Sequence, residues 1–411
     1  MPAATWYEDT AIADPVAGMC LQRDTDCDVA IVGGGLAGLS LLYHLIQAGI
    51  DAVLIEKDSV GHGASGRNGG FCSSGWAADE PAITRLVGPH DAARLGALAQ
   101  EGLDWMRAKS AQADYHSTDA RPGILGVALS GKPGDQPVLK GAALTALVDS
   151  PRYKFGVLEP AAFQFHPLNF MRCLAAEITG LGGRIFSNTA LLATDTISHR
   201  LHLRTAKGTL RANRVVLATG GYGGASVAAL SRLILPIRTY IGVTARLSAD
   251  DRRMIKTPYA IGDTRRAGNY YRMLPDNRLL WGHSITAFGT LDQDRIKTNT
   301  ARDIATIFPH MSPEIAYGWA GNMAYAVHKM PIVGELAPNL YSLCGFGGHG
   351  MNTAPAAALV LAEHLARQTD RLSMFTAIPK AWNMGRAGPF AVEASYRLMQ
   401  GRDFLAEKFG R

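Results

Sequence analysis

Cysteine is scarce in this chain. Cys20, Cys27, Cys72, Cys173 and Cys344 make an odd set of five in 411 residues, with no CxxC pair. That excludes a disulfide scaffold and a paired-cysteine zinc site, and no metal is expected. The same scarcity suits a reducing compartment, so a cytoplasmic location is expected. Charge is also thin, at 18% of residues. Lysine and arginine outnumber aspartate and glutamate 41 to 35, a formal charge of +6. The charges are scattered, and the densest patch, Asp250-Asp251-Arg252-Arg253, mixes both signs. Without a basic block or a base-reading motif, no nucleic-acid partner is expected. No stretch of about 18 apolar residues occurs, so no membrane span is expected. The first 28 residues carry Glu8, Asp9, Asp14, Asp24 and Asp26. They lack a basic start followed by an apolar run, so no secretory signal is read there. Repeats of solenoid period and low-complexity tails are absent too.

What the chain has in excess is glycine, 45 residues or about 11%, against an average near 7%. Hydrophobic residues reach 47%, which fits a folded protein of two or three domains. Three glycine clusters stand out, and each directly follows an apolar run that reads as a buried parallel strand: 28–33, 214–220 and 340–346. In open parallel sheets ligands bind beyond the carboxyl ends of the strands. Three glycine loops at such an edge would bring backbone N–H groups onto one large ligand.

The first cluster is the most specific. Gly33-Gly34-Gly35-Leu36-Ala37-Gly38 matches GxGxxG, between a strand at 28–33 and a helical pattern at 36–48. Gly33 permits the tight turn, Gly35 lets backbone approach a pyrophosphate, and Gly38 lets helix pack close on strand. Leu36 and Ala37 open the helix, whose N-terminus offers N–H groups to phosphate. Glu56 ends the second strand, 52–56, twenty-one residues after Gly35, where a carboxylate accepts from a ribose diol; Lys57 follows it. This is a dinucleotide site. No second fingerprint is present: the run Val215 to Gly221 contains the Ala-Thr219-Gly220 strand end but not the spacing of a nicotinamide site. The electron donor is therefore expected to be the substrate rather than NAD(P)H.

Beyond this unit, 57–80 is rich in glycine and serine, 90–113 reads as helix and 121–155 as short strands and turns. A helix starts after His166-Pro167, strands are expected at 184–190, 201–205 and 209–211, and 237–300 alternates in strand fashion. A long helix follows at 353–367.

The residues resemble the FAD-dependent amine and amino-acid oxidase superfamily of the D-amino-acid oxidase, glycine oxidase and sarcosine oxidase type, and within it the gamma-glutamylputrescine oxidase-like branch. The resemblance runs over the whole chain. It is carried by Trp6-Tyr7, the fingerprint, Gly63-Ala64-Ser65-Gly66-Arg67-Asn68-Gly69-Gly70, His166-Pro167, Ala218 to Tyr222, Asp263 to Arg265, Tyr270 to Arg272, Arg278 to Gly282, Gly347 to Asn352 and the tail helix after Pro389. It implies an α/β fold: a Rossmann-like FAD-binding domain with a second domain of mainly antiparallel sheet plus helices. The expected segments are 1–80, 156–236 and 321–411 for the FAD domain, and 81–155 and 237–320 for the substrate domain. The implied FAD set is the fingerprint residues, Glu56, Lys57, Ala64, Ser65, Arg67, Asn68, Gly69, Gly70, Thr219, Gly220, Gly347, Gly348, His349, Gly350 and Met351. A planar arginine at 67 suits a phosphate or a developing negative charge on the flavin.

Sarcosine oxidases link their flavin through a cysteine on the segment that matches Gly321 to His328, which has none here, and His62 is not at a linking position; non-covalent FAD is expected. The resemblance places the substrate beneath the covering sheet, with Tyr240, Thr244, Arg265, Tyr271, Arg272, Trp281 and His283 as candidates, and Lys329 near the flavin. Arg67, His349, Tyr271 and His328 are the candidate catalytic groups. The lysine that aids oxygen in sarcosine-type enzymes is matched by Leu280. The expected reaction is oxidation of a primary or secondary amine or amino acid. A hydride equivalent moves from Cα–H to flavin N5, the imine hydrolyses to a carbonyl, and O2 becomes H2O2. A dehydrogenase serving a quinone or protein acceptor, a biosynthetic tailoring enzyme, an NAD(P)H-dependent reductase or monooxygenase, and a flavoprotein with a structural FAD stay open.

Overall fold

The computed structural model describes residues 5–266 and 268–409. Apolar runs rich in β-branched residues build a central parallel sheet. Its strands lie in the order Ile332–Ala337, Leu340–Cys344, Thr209–Leu217, Thr25–Val32, Ala52–Ile55 and Arg184–Phe186. All neighbours are parallel except the edge pair Ile332–Ala337 and Leu340–Cys344. A hairpin, Ala193–Ile197 with Arg200–Arg204, adds antiparallel to Thr209–Leu217. The first strand is buried on both faces. Val29 and Ile31 join one apolar cluster with helices Leu36–Gln47 and Gly350–Leu365, while Ala30 and Val32 join another. That double burial explains why the strand reads as a continuous apolar run.

The second sheet runs in the order Ile315–Tyr325, Leu235–Thr244, Leu279–Thr286, Tyr270–Met273, Ala260–Asp263, Arg121–Ala128, Phe155–Gln164 and Phe71–Cys72. It is antiparallel except between Ala260–Asp263 and Arg121–Ala128. The α/β class and the mixed second sheet agree with the expected fold. Strand Phe155–Gln164, expected to return to the FAD unit at 156, pairs along its length with Arg121–Ala128. Strand Ile315–Tyr325 runs through the expected break at 320.

Three elements differ from the sequence reading. The helix Gln293–Ile307 begins inside the stretch 237–300 read as strand and runs past its end. Asp292 caps it by accepting from Arg295 N, and Ile296, Thr300, Ile304 and Ile307 recur at helical spacing on its buried side. The arm contains a short helix, Trp6–Thr10, started by a capping box in which Thr5 and Glu8 satisfy each other's backbone N–H groups. The helix read at 90–113 spans Glu80–Ser110 and kinks at Gly88, which has φ +82°, next to Pro89.

Candidate active site

The fingerprint forms the crossing of strand and helix that its spacing requires. Gly33 has φ +118°, and a Cβ there would stand 2.5 Å from the Ala218 carbonyl oxygen. A Cβ on Gly38 would collide with the Gly33 carbonyl. The helix starts at Leu36 with Gly35 as its cap. Leu36 N donates to Ser65 Oγ at 2.9 Å, so the hydroxyl of the second glycine loop already sits on the helix N-terminus. Glu56 accepts from Gly34 N at 2.6 Å and from Asp58 N at 2.9 Å. Burial pushes its carboxyl above the ordinary range, against those two backbone donors. Lys57 is exposed beside it.

The second loop is built around a single turn of helix, Ala64–Arg67. The Asn68 amide nitrogen donates to the carbonyls of Ala64 and Ser65 at 3.0 and 2.8 Å, and its oxygen accepts from Gly70 N at 2.8 Å. Asn68 thus shapes the loop. It also stands 3.7 Å from the Met351 sulfur, which joins this loop to the third one. Arg67 is buried. Its Nε donates to the His62 carbonyl at 2.8 Å and its Nη2 to Glu8 at 3.1 Å. The second sheet closes on the loop from below. Trp319 Nε1 donates to the Arg67 carbonyl at 3.0 Å. A Cβ on Gly69 would press on the Tyr270 ring at 2.6 Å. Arg272, 3% exposed, donates to the Gly69 carbonyl at 2.7 Å, the Phe165 carbonyl at 2.9 Å and the Tyr7 hydroxyl at 3.1 Å.

The third loop turns through Gly345, Gly347 and Gly348, all at positive φ, into the helix Gly350–Leu365. Met323 and Tyr325 of the edge strand lie under Gly347 and Gly348. His349 donates from Nε2 to the Ser74 carbonyl at 2.9 Å, and burial lowers its pKa, so the ring is neutral. At the end of strand Thr209–Leu217, Gly220 has φ +55° with open space where a Cβ would be, and the Thr219 hydroxyl is buried without a partner. A cavity of about 140 Å³ opens there, lined by Thr219, Gly220, Gly221, Gly223, Gly224 and Pro236 among others.

The residues present fit FAD. Glycine surfaces that a side chain would fill, an orphaned hydroxyl and a carboxylate at the ribose position gather at the carboxyl edge of the parallel strands. Gly33, Gly35, Gly38, Glu56 and the 61–70 loop would hold its phosphates and ribose. Gly347 to Met351 would meet the ring edge through the helix N-terminus.

The substrate candidates divide. Tyr240, Tyr271, Trp281 and His283 lie on the face of the second sheet that packs under helix Gln293–Ile307, away from the glycine loops. Tyr271 stacks on Trp281 at 4.4 Å and its hydroxyl meets that of Tyr153 at 2.8 Å. His283 bonds the Thr300 hydroxyl at 3.0 Å, and burial drives its pKa down to about 4. Arg265 is paired with Asp263 at 2.6 Å. Thr244 accepts from Leu279 N at 2.9 Å. His328 turns to the Pro379 carbonyl at 2.9 Å, and Lys329 beside it is exposed at φ +62°. Side chains alternate along a strand, so among the candidates Arg272 faces the loops, with Tyr270 beside it in place of Tyr271 and Leu280 in place of Trp281. Glu8, Trp319, Met323 and Tyr325 escaped the sequence reading, although 319, 323 and 325 share one strand parity.

The sequence profile of the FAD dependent oxidoreductase family matches residues 28–364. The chain is 33% identical over 380 residues to the gamma-glutamylputrescine oxidoreductase of Escherichia coli (strain K12), covering 87% of this chain and 88% of that one. Among solved structures, glycine oxidase from Geobacillus kaustophilus superposes with a TM-score of 0.66 at 21% identity, over 86% of this chain and 98% of that one. L-proline dehydrogenase from P.horikoshii gives 0.69 at 17%, over 89% and 99%.

Proposed function

This chain belongs to the FAD dependent oxidoreductase family, and from its site we propose that it oxidises a primary or secondary amine or an amino acid, with O2 as acceptor. It is an FAD-dependent oxidoreductase of the amine and amino-acid oxidase type. When bound, FAD supplies the two-electron acceptor for the amine Cα–H, so that the imine formed hydrolyses to a carbonyl and O2 leaves as H2O2.

One observation carries the proposal: the second sheet closes directly on the 61–70 loop through Tyr270, Arg272 and Trp319. The aromatic side chains on that face of the sheet, Tyr270 and Trp319, would keep water out and orient a substrate there. Arg67 places a fixed cation there, held by Glu8 and His62, suited to negative charge developing on the bound ring. Neutral His349 offers Nδ1 as an acceptor while its Nε2–H is tied to Ser74. The FAD is held without a covalent link. Cys344, the thiol at the root of the third loop, points to the Gly220 carbonyl at 3.4 Å, and burial pushes its pKa up to about 12, so it stays a thiol.

A second reading is favoured by Leu280. At the position where sarcosine-type enzymes carry lysine, Leu280 is fully buried in an apolar cluster with Trp6, Tyr7 and Trp319. Without that cation oxygen reacts slowly, and a quinone or a protein takes the electrons.

The test is an anaerobic titration. The visible spectrum is recorded while polyamines, gamma-glutamylated amines, N-methyl amino acids and D- and L-amino acids are added singly. Bleaching of the flavin band by one class supports the proposal, and colour returning in air identifies oxygen as acceptor. Bleaching by NAD(P)H and by no amine overturns it. Acid precipitation tests the linkage: the colour is expected in the supernatant.

A further inference from the structure

The helix Gly388–Phe409 carries apolar residues toward solvent. Phe390, Leu398, Phe404, Leu405 and Phe409 are between 53% and 67% exposed, while only Gly388 and Tyr396 are buried. Phe288, itself exposed, meets the Phe390 ring edge-on at 4.7 Å and widens the patch. Single exposed apolar side chains are ordinary, but five on one helix are not.

The charges of the same helix are sorted the other way. Its acids turn to the protein. Glu407 pairs with Arg152 and, at 3.5 Å, with Arg265. Glu393 accepts from the Thr286 hydroxyl at 3.4 Å, and Asp403 accepts from Arg266 N at 3.2 Å. Its bases Arg397, Arg402 and Lys408 are exposed among the apolar residues. The Lys408 ammonium lies 5.9 and 5.6 Å from the Phe404 and Phe409 ring centres, the posture of a side chain that covers apolar surface and keeps its charge outside.

We propose that this helix is an in-plane docking face for an anionic lipid bilayer. Phenylalanine and leucine enter the boundary between headgroups and acyl chains, and the bases meet the lipid phosphates. No helix among the described residues is long and apolar enough to cross a membrane, so the contact is peripheral. A second copy of the chain is the poorer occupant. Pairing of this face on itself would set exposed bases against one another, since the acids face the protein, Glu393 also reaching Arg397 of the same helix at 3.6 Å.

The experiment is flotation of the FAD-loaded enzyme with phosphatidylcholine vesicles, with and without phosphatidylglycerol, at low and high salt. The protein is expected to float with the anionic vesicles and to be released by salt. Arg402→Gln and Lys408→Gln should each weaken partitioning roughly five-fold. The pair Phe404→Ser and Leu405→Ser should abolish it while the flavin spectrum is unchanged. Failure of the native enzyme to float with anionic vesicles overturns the proposal. So does equal flotation of the serine variant, and so does a native dimer that the serine variant dissolves without any vesicle binding.

Discussion

At the scale of single residues, the site rests on a few buried polar groups with assigned partners. Glu56 already holds two backbone donors, so its carboxylate is fixed in place before a ribose arrives. Glu56→Gln keeps the shape and removes the charge. A charge-assisted hydrogen bond lost from the ribose should raise the FAD dissociation constant by roughly ten-fold, read by fluorescence of released flavin on dilution. Arg272 serves three oxygens from one guanidinium. Arg272→Met leaves them unpaired in a dry place and should cost about 3 kcal/mol, measured by urea unfolding of the apoprotein. Arg67 tests the chemistry: Arg67→Ala protein with full FAD occupancy and full turnover would remove Arg67 from its proposed role. The buried histidines set a pH dependence. Burial holds His283 at about 4 and His166 at about 3, below the imidazole value of about 6.5 that the unfolded chain has. The unfolded state therefore binds more protons between those values, and stability falls as pH drops through that window. The urea midpoint should be lower at pH 5 than at pH 7, and His283→Gln should flatten the dependence.

At the scale of elements, the fingerprint was legible because it depends on local geometry alone. A strand, a turn with positive φ and a helix starting at once force glycine at 33 and 38, and the structure shows what each would strike. Gly38→Ala drives a methyl into backbone, which cannot move aside. The variant should purify without FAD, seen as a loss of visible absorbance per protein. The first half of the helix Gln293–Ile307 falls in the stretch 237–300 that reads as strand, because the residues before it alternate and its own mean character is polar. Its cap and its isoleucines at helical spacing were the signals to weigh. Ile304 is fully buried between this helix and the second sheet, so Ile304→Ala should cost about 3 kcal/mol in urea unfolding. The opposite faces of the second sheet could not be assigned from sequence. A strand gives two faces by parity, and nothing local says which one packs under a helix and which one faces the glycine loops.

At the scale of the whole molecule, FAD in the proposed site would join parts far apart in the chain, since the three loops begin at 33, 61 and 345 and close against strands near 270 and 320. Removing it should lower the melting temperature, and adding FAD, but not NAD, should restore it in proportion to the logarithm of its concentration. The amino-acid sequence alone carries the dinucleotide fingerprint, because its strand, glycine turn, helix and Glu56 are fixed by spacings within one βαβ unit; FAD and the two-sheet α/β architecture were implied by the resemblance to a known family. The tertiary structure decided the rest. It placed Tyr270 and Arg272 against the 61–70 loop and Tyr271 and Trp281 in the core behind them. It also brought Glu8 from the arm onto Arg67 and turned the apolar side of the last helix outward. Each of these depends on which surfaces meet across long stretches of chain, and burial between distant elements is a property of the packed molecule that no local spacing encodes.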